Sequence, residues 1–354
     1  MGIKMCFYTD PHWSQDSSII RSRGVKYSSR LENLIQSMNW VEQLAYSQGC
    51  LSIVCGGDFF DSSQLNSEEV SALKEIEWAP IAHIFLTGNH ETNVKSLQYS
   101  TSDLFQLCSN FETFSEPCSY VEECTNTELC FLPYVLDSSE HTIGEYFGKK
   151  RSLNRIIISH NDIKDVQYGS FLSTEGFTVS DIEANCDLFI NGHIHHCAYV
   201  TDKIINGGNL TGQNFTEDAT KYKHCALIID LDTLEVKFFI NPYAYNFYKF
   251  DLTDVYDVQQ LERDLSGLSS NAVLTLKFNE TFVSDARAWL DNNKSRLNIA
   301  EYRVLVEHNQ DDSPEEIVST LCEIDHLAQF ETFILTEVGT TNIIREELNE
   351  VLHK

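Results

Sequence analysis

The chain has 354 residues, 42% of them hydrophobic and 11% aromatic, a composition typical of a folded globular protein with one large domain and a small one. We expect neither a membrane span nor a signal peptide, because no stretch of 18 apolar residues occurs and the N-terminus leads directly into a predicted strand. The formal net charge of −28 argues against an enzyme that grips nucleic acid through a broad basic face.

Short apolar runs along the chain lead into polar residues. An apolar run followed at once by a polar side chain indicates a buried strand that delivers this side chain to the end of a sheet, where open α/β sheets place their sites. The runs at residues 3–8, 51–55, 81–86, 156–158 and 188–190 precede Asp10-Pro11-His12, Gly57-Asp58 with Asp61, Gly88-Asn89-His90-Glu91, Ser159-His160 and Gly192-His193-Ile194-His195.

Helices are predicted between the first strands. Residues 28–48 carry apolar residues at helical spacing, and Gly49 ends this helix. Residues 67–78 form a second helix, with Asn66 as N-cap and Glu69 as its capping-box partner. The alternation of strands and helices predicts a layered α/β domain.

Later segments indicate antiparallel pairs and a second domain. Residues 119–136 are predicted as paired strands around Asn126, and residues 225–231 and 234–240 as a hairpin. A boundary near residue 245 gives predicted domains 1–245 and 246–354. The second domain is a small α/β region, with a strand at 273–278, a helix at 282–296 and a strand at 302–307. Further helices are predicted from Ser313-Pro314 and from Ile343.

The polar residues are of the types needed to hold two metal ions. Hard oxygen ligands combined with imidazoles suit Mn²⁺, Fe²⁺ or Zn²⁺. Two such ions about 3.5–4 Å apart clamp a phosphate and generate a hydroxide nucleophile. One carboxylate must bridge the ions, and Asp58 is the natural bridge. We therefore expect two divalent ions, with Mn²⁺ first and Mg²⁺, Fe²⁺ or Zn²⁺ as alternatives.

The order of these motifs resembles the calcineurin-like metallophosphoesterase superfamily over residues 1–245. The resemblance implies a four-layer fold of two facing mixed β-sheets flanked by helices. It also implies that His90 lies over the scissile phosphate as general acid or electrostatic stabiliser. Asp61 either orients a metal-bound histidine or caps the following helix. The implied ligands are Asp10, His12, Asp58 and His195 for one ion, and Asp58, Asn89, His160 and His193 for the other.

Two features resemble the nuclease subunit of SbcCD-type complexes, including its phage counterparts. One is the block Gly57-Asp58-Phe59-Phe60-Asp61, and the other is the small region beyond residue 245, where that subunit carries a DNA-recognition or capping domain. The resemblance implies a DNA exo- or endonuclease in recombination or repair. The partner of this nuclease would be an SMC-like ATPase related to SbcC. The nuclease itself would form a homodimer through residues 28–48 and 67–78. The segment Asn206-Gly207-Gly208-Asn209 departs from the usual Gly-Ser-Pro type turn.

Two other functions stay open on the sequence. One is a stand-alone phosphodiesterase or phosphatase acting on a nucleotide, a phosphoprotein or another small phosphoester. The other is a scaffold that has lost catalysis, which the complete set of expected ligands disfavours.

One basic segment follows the first motif. Arg21, Arg23, Lys26 and Arg30 fall within ten residues that contain no acid. Because phosphate contacts dominate affinity for nucleic acid, we expect this segment to bind DNA beside the metals. The alternative is a solvated loop whose charges pair with acids such as Glu32.

The cysteines indicate a reducing compartment. The chain has 11 cysteines, an odd number, without a Cys-x-x-Cys pair. Cys6, Cys55 and Cys225 fall inside predicted buried strands. We therefore expect reduced thiols and a cytoplasmic protein.

Overall fold

The computed structural model describes residues 2–16, 24–93, 96–107, 109–168, 171–221, 223–269 and 271–307. Met1–Leu305 form one compact unit, and Val306–Lys354 form a second that lies almost wholly outside the described residues. The helices predicted from Ser313 and from Ile343 fall in that second part of the chain, and the domain boundary predicted at residue 245 stays a prediction. Among the described helices, none has the length and apolar character needed to cross a membrane.

The described elements are six helices, three short 3-10 turns and 21 strands. The helices are α1 (Ser29–Gln48), α2 (Ser67–Ala72), α3 (Ile143–Phe147), α4 (Val179–Asn185), α5 (Val258–Leu265) and α6 (Val283–Asn293), with 3-10 turns at Leu73–Glu75, Thr101–Leu107 and Ser138–Glu140. The strands are β1 (Lys4–Tyr8), β2 (Ser52–Cys55), β3 (Ala82–Leu86), β4 (Thr92–Asn93), β5 (Ser96–Ser100), β6 (Phe111–Phe114), β7 (Cys118–Glu122), β8 (Thr127–Leu132), β9 (Asn154–Ser159), β10 (Ile163–Lys164), β11 (Gln167–Tyr168), β12 (Phe171–Leu172), β13 (Phe177–Thr178), β14 (Leu188–Asn191), β15 (Ala198–Tyr199), β16 (Ile204–Asn206), β17 (Cys225–Asp230), β18 (Val236–Ile240), β19 (Asn246–Leu252), β20 (Ala272–Asn279) and β21 (Ile299–Glu307).

Two six-stranded mixed sheets form the centre of the molecule. The first has the order β18-β17-β1-β2-β3-β6, with β1, β2, β3 and β6 parallel and the predicted hairpin β17-β18 antiparallel at one edge. The second has the order β15-β16-β14-β9-β8-β7, with four parallel strands between antiparallel edges. The predicted pairing around Asn126 is the β7-β8 edge.

Apolar cores on both faces of each sheet show how the layers stack. Along β1, Phe7 packs between the two sheets, whereas Cys6 and Tyr8 pack on the opposite face with the apolar residues of α1. On the second sheet, Phe131 joins the core between the sheets, and Ile157 joins a core with α3 and α4. This succession of helix, sheet, sheet and helix confirms the predicted fold.

The structure confirms the predicted bounds of α1, which spans Ser29–Gln48 where residues 28–48 were predicted. Ser28 accepts a hydrogen bond from the Leu31 N–H as the N-cap, and Gly49 ends the helix in the left-handed conformation at φ 68°. The apolar face of α1, which includes Leu34 and Met38, is fully buried against the first sheet. These residues are therefore not available to the dimer contact expected for residues 28–48.

Helix α2 is shorter than predicted. It has the predicted Asn66–Glu69 capping box but ends at Ala72 instead of residue 78. Two side chains of α1 bind the backbone that would have continued it, because Asn39 hydrogen-bonds the Glu75 carbonyl and the Glu77 N–H. Glu42 likewise accepts from the Ala79 N–H at 2.9 Å. These tertiary contacts replace the helical hydrogen bonds. The local sequence does not reveal such contacts.

The C-terminal described segment forms a three-stranded sheet, β19-β20-β21, with its own apolar core. The strands and helix predicted at 273–278, 282–296 and 302–307 correspond to β20, α6 and β21. Strand β19 and helix α5 were not predicted. β19 pairs in parallel with β20, and α5 connects them.

The cysteines of the described residues are all free thiols. Cys6, Cys55 and Cys225 are buried in β1, β2 and β17, as predicted.

Candidate metal centre

The C-terminal ends of β1, β2, β3, β9 and β14 converge, although these strands belong to two different sheets. Backbone hydrogen bonds join the loops, including Asp10 N–H to the Gly57 carbonyl at 3.1 Å and Gly192 N–H to the Ser159 carbonyl at 2.8 Å. The His160 ring, from the second sheet, lies 2.7 Å from the carbonyl oxygen of Gly56 in the first sheet. All five predicted motifs therefore meet at one place.

The backbone is strained at four of the predicted site residues. Asp10, His12, Asp58 and His193 have positive φ angles between 48° and 64°. Residues other than glycine rarely adopt this conformation, which costs about 1–3 kcal/mol at each position. Such strain persists where the surrounding structure holds a side chain in a functional direction.

The first cluster of possible ligand atoms contains Asp10, His12 and His195, whose ligand atoms lie within 4.8 Å of one another. The Nε2 atoms of His12 and His195 are 3.1 Å apart, and each lies 3.6 Å from Asp10 Oδ1. This carboxylate oxygen is buried and has no hydrogen-bond partner among the described residues. A buried, unpartnered oxygen facing two imidazole nitrogens fits a divalent cation.

The second cluster contains Asp58, His160 and His193, again within 4.8 Å. Asn89 Oδ1 lies 3.3 Å from His160 Nε2 and 3.1 Å from His193 Nδ1, so it joins this cluster. Asp58 Oδ2 is 3.2 Å from His160 Nε2 and 4.0 Å from His12 Nε2. Asp58 thus lies between the two clusters, where a bridging carboxylate is required.

Hydrogen bonds on the far side of the rings turn the imidazoles toward these clusters. His12 donates from Nδ1 to Asp61 Oδ1 at 2.9 Å, and His160 donates from Nδ1 to the Gly56 carbonyl. Each bond leaves Nε2 unprotonated in the neutral ring and directed at the cluster. Acceptors of this kind fix the orientation and tautomer of metal-binding histidines.

In the metal-free site, electrostatics favours a charged Asp58 and protonated His12 and His160, whereas burial lowers the pKa of His195. Burial opposes ionisation of Asp58, but His160 and His12 outweigh it and lower the pKa of Asp58 to about 2. Burial also lowers histidine pKa values, yet pairing with Asp10 and Asp61 raises the pKa of His12 to about 10. The charges of Asp58 and Asp10 likewise raise the pKa of His160 to about 9, against its burial. A bound cation would take the place of these protons.

His90 and Asp61 lie at the open side of the first cluster. Their side chains are 42% and 44% exposed, and His90 Nδ1 lies 3.6 Å from Asp61 Oδ1. His90 Nδ1 donates to the Asp61 carbonyl at 3.1 Å, and the His90 N–H donates to Asp58 Oδ1 at 2.9 Å. Of the two roles open for Asp61, the contact with His12 matches the orienting one.

Neighbouring atoms approach two motif positions so closely that only glycine fits there. A Cβ on Gly88 would lie 2.1 Å from Asp58 Oδ1, and one on Gly57 would lie 2.2 Å from His160 Nδ1. Any side chain at these positions would displace a predicted ligand.

Two further side chains support the site, and the sequence did not assign them a role. Glu91 is fully buried and accepts from the N–H groups of Gly88 and Phe60, which ties two motif loops together. Burial and the nearby Asp58 charge raise the pKa of Glu91 to about 7. Gln213 donates to the Asp10 carbonyl at 3.0 Å. Glu91 follows His90 in its motif, whereas nothing local in the sequence marks Gln213.

The basic segment requires one correction. Arg30 is buried, at 5% exposure, and donates to the carbonyl oxygens of Pro11 and Gly212 at 3.0 Å each. It therefore has no free surface for a DNA phosphate and instead supports the loop of the first motif. Lys26 is exposed and pairs with Glu75 at 2.5 Å. Arg21 and Arg23 lie outside the described residues.

Comparisons with known proteins agree with this geometry at the level of family. A family model described as calcineurin-like phosphoesterase matches residues 3–197. No curated protein matches the chain. Similar solved structures include a dimetal phosphatase from Danio rerio, with 12% identity, a TM-score of 0.38 and coverage of 68% of this chain and 99% of that one.

Two other solved structures are similarly distant. A 5'-nucleotidase from Candida albicans has 12% identity and a TM-score of 0.34, covering 66% of this chain and 52% of its own. A calcineurin-like phosphoesterase from Bacillus subtilis has 11% identity and a TM-score of 0.29, covering 58% of this chain and 81% of its own. Similarity at this level carries no argument about the substrate.

Proposed function

This chain belongs to the calcineurin-like phosphoesterase family, and we propose that it is the DNA nuclease subunit of an SbcCD-like recombination or repair complex. The family and the two clusters support a metal-dependent phosphoester hydrolase. The proposal of a DNA nuclease rests on Asp61, the last residue of the block that resembles the nuclease subunits. Its carboxylate holds His12 and its carbonyl holds His90, so this block forms part of the site itself.

The metal ligands and His90 have different roles in the proposed reaction. Two divalent ions, Mn²⁺ in our proposal, would supply charge neutralisation of the phosphate and activation of water when bound by the two clusters. Asp58 would be shared by both clusters because it lies between them. His90 donates from Nδ1 to Asp61, which leaves Nε2 to donate to a phosphate or leaving-group oxygen when the ring is protonated.

A comparison of substrates tests this proposal. With Mn²⁺ present, we expect the protein to degrade linear double-stranded DNA, and we expect Asp58→Asn to abolish this activity. A cyclic dinucleotide and p-nitrophenyl phosphate serve as the competing substrates. Efficient turnover of either one without degradation of DNA would support the stand-alone phosphodiesterase or phosphatase instead.

Arg21, Arg23 and Lys26 of the basic segment are proposed to guide DNA. Changing Arg21, Arg23 and Lys26 together to Ala should weaken DNA binding across all sequences and flatten its dependence on salt, because fewer counterions are released. Hydrolysis of bis(p-nitrophenyl) phosphate should survive, since no ligand is altered. An unchanged salt dependence would place the DNA elsewhere, and equal loss of both activities would show that the segment supports the fold.

An SMC-like ATPase partner and a homodimer belong to the same proposal. A chain of net charge −28 holds DNA poorly by itself, which favours a basic partner. The outward side of α1 and α2 offers exposed residues such as Tyr46 and Val70 for contact with a second copy. Sedimentation that shows a monomer at all concentrations, with no binding to such an ATPase, would remove this part of the proposal.

A further inference from the structure

Asp162, which no motif includes, contacts a predicted ligand of the second cluster. Its Oδ2 lies 3.4 Å from Nε2 of His193. The other nitrogen of this ring, Nδ1, is 3.1 Å from Asn89 Oδ1, which in turn is 3.3 Å from His160 Nε2. The His193 ring therefore directs Nδ1 into the second cluster and Nε2 toward Asp162.

The first cluster contains an equivalent arrangement. His12 directs Nε2 to Asp10 and His195, and its Nδ1 faces the carboxylate of Asp61 at 2.9 Å. In each cluster, one histidine thus has a carboxylate beside the ring nitrogen that faces away from the cluster. The two carboxylates come from different loops. We propose that Asp162 is a positioning residue for the second metal ion, acting through His193 as Asp61 acts through His12. This inference rests on the proposed two-metal function.

Asp162 is itself held in place, as a positioning residue must be. Its Oδ1 accepts from the Ser173 hydroxyl at 3.1 Å, and Ser173 is buried at 1% exposure. Its carbonyl accepts from the Phe177 N–H at 3.1 Å, next to the β10-β13 pairing. Gly176 lies directly against this carbonyl, where a Cβ would be 2.1 Å from the oxygen. The carboxylate therefore has a fixed direction before any ion binds.

The test compares the affinities of the two ions. Asp162→Asn keeps the size of the side chain and removes its charge. We expect about a 10–100-fold loss in affinity for one Mn²⁺ ion, the range typical for partners of metal-binding histidines, with the other ion bound within about twofold of wild type. Calorimetric titration measures both affinities, and anomalous scattering from crystals soaked in Mn²⁺ identifies the weakened position. Ser173→Ala should weaken the same ion less, and combining it with Asp162→Asn should add little.

Asp165→Asn is the matched control, since Asp165 is an exposed acid three residues away, in the turn after β10. It should leave both affinities unchanged. The inference is overturned if Asp162→Asn binds both ions as wild type does, or if both ions weaken equally together with a lower melting temperature of the metal-free protein. Failure of the wild-type protein to bind two ions would instead remove the proposed function, and this inference with it.

Discussion

Arg30 is predicted to be a structural support of the first metal motif, and the change Arg30→Met tests this role. The guanidinium donates two hydrogen bonds at 3.0 Å from a buried position, one to Pro11 between Asp10 and His12 and one to Gly212. Met fills most of the volume of Arg but donates nothing. Both carbonyl oxygens would therefore lose their charged donor.

The magnitude follows from these two bonds. A hydrogen bond to a charged group contributes about 1.5–3 kcal/mol, so we expect the free energy of unfolding to fall by about 3 kcal/mol or more. For the compact unit Met1–Leu305 the melting temperature should drop by about 5 °C or more. Mn²⁺ affinity should fall as well, because the Asp10-Pro11-His12 loop, strained at Asp10 and His12, loses a contact that fixes it.

Urea unfolding without metal and calorimetric titration with Mn²⁺ measure these two effects. Lys26→Met is the matched control, since it removes a cation that is 61% exposed and paired with Glu75. We expect it to cost less than about 1 kcal/mol. If Arg30→Met were as stable as Lys26→Met and lost DNA binding alone, Arg30 would act as a surface contact and the reasoning from its burial would be wrong.

Three further predictions concern residues of the candidate site. Asp58→Asn should weaken binding of both ions together, and a variant that retained both ions by anomalous scattering would contradict the bridging role. His90→Ala should retain both ions and DNA binding but reduce the rate of hydrolysis by about 10²–10⁴-fold, whereas loss of an ion would make His90 a ligand. Binding of Mn²⁺ at pH 7 should release protons, because the pKa values of about 10 for His12 and about 9 for His160 keep both rings protonated in the metal-free protein. Metal affinity should therefore rise from pH 6 to about pH 9, and calorimetry in buffers of different ionisation enthalpy should detect the released protons; an affinity independent of pH would refute this assignment.

The sequence by itself determined which residues to expect at the candidate site, because local patterns carry that information. An apolar run shows where a strand ends, and a polar residue placed directly after it must emerge at the edge of a sheet. This pattern predicts Asp10, Asp58 and His160 as site residues from the sequence alone. The sequence also predicts α1 over residues 28–48 with its end at Gly49, since the left-handed C-cap depends on a residue adjacent in the chain.

The tertiary structure decided what lies around those residues. Arg30 belongs to a basic run in the sequence, yet helix α1 turns it inward to carbonyls 19 and 182 residues away along the chain. Helix α2 ends early because Asn39 and Glu42 of another helix take its backbone partners. Contacts between distant segments leave no periodic or local signal in a single sequence. For the same reason, the sequence does not reveal the contact between Asp162 and His193, which exists because β9 and β14 pair side by side.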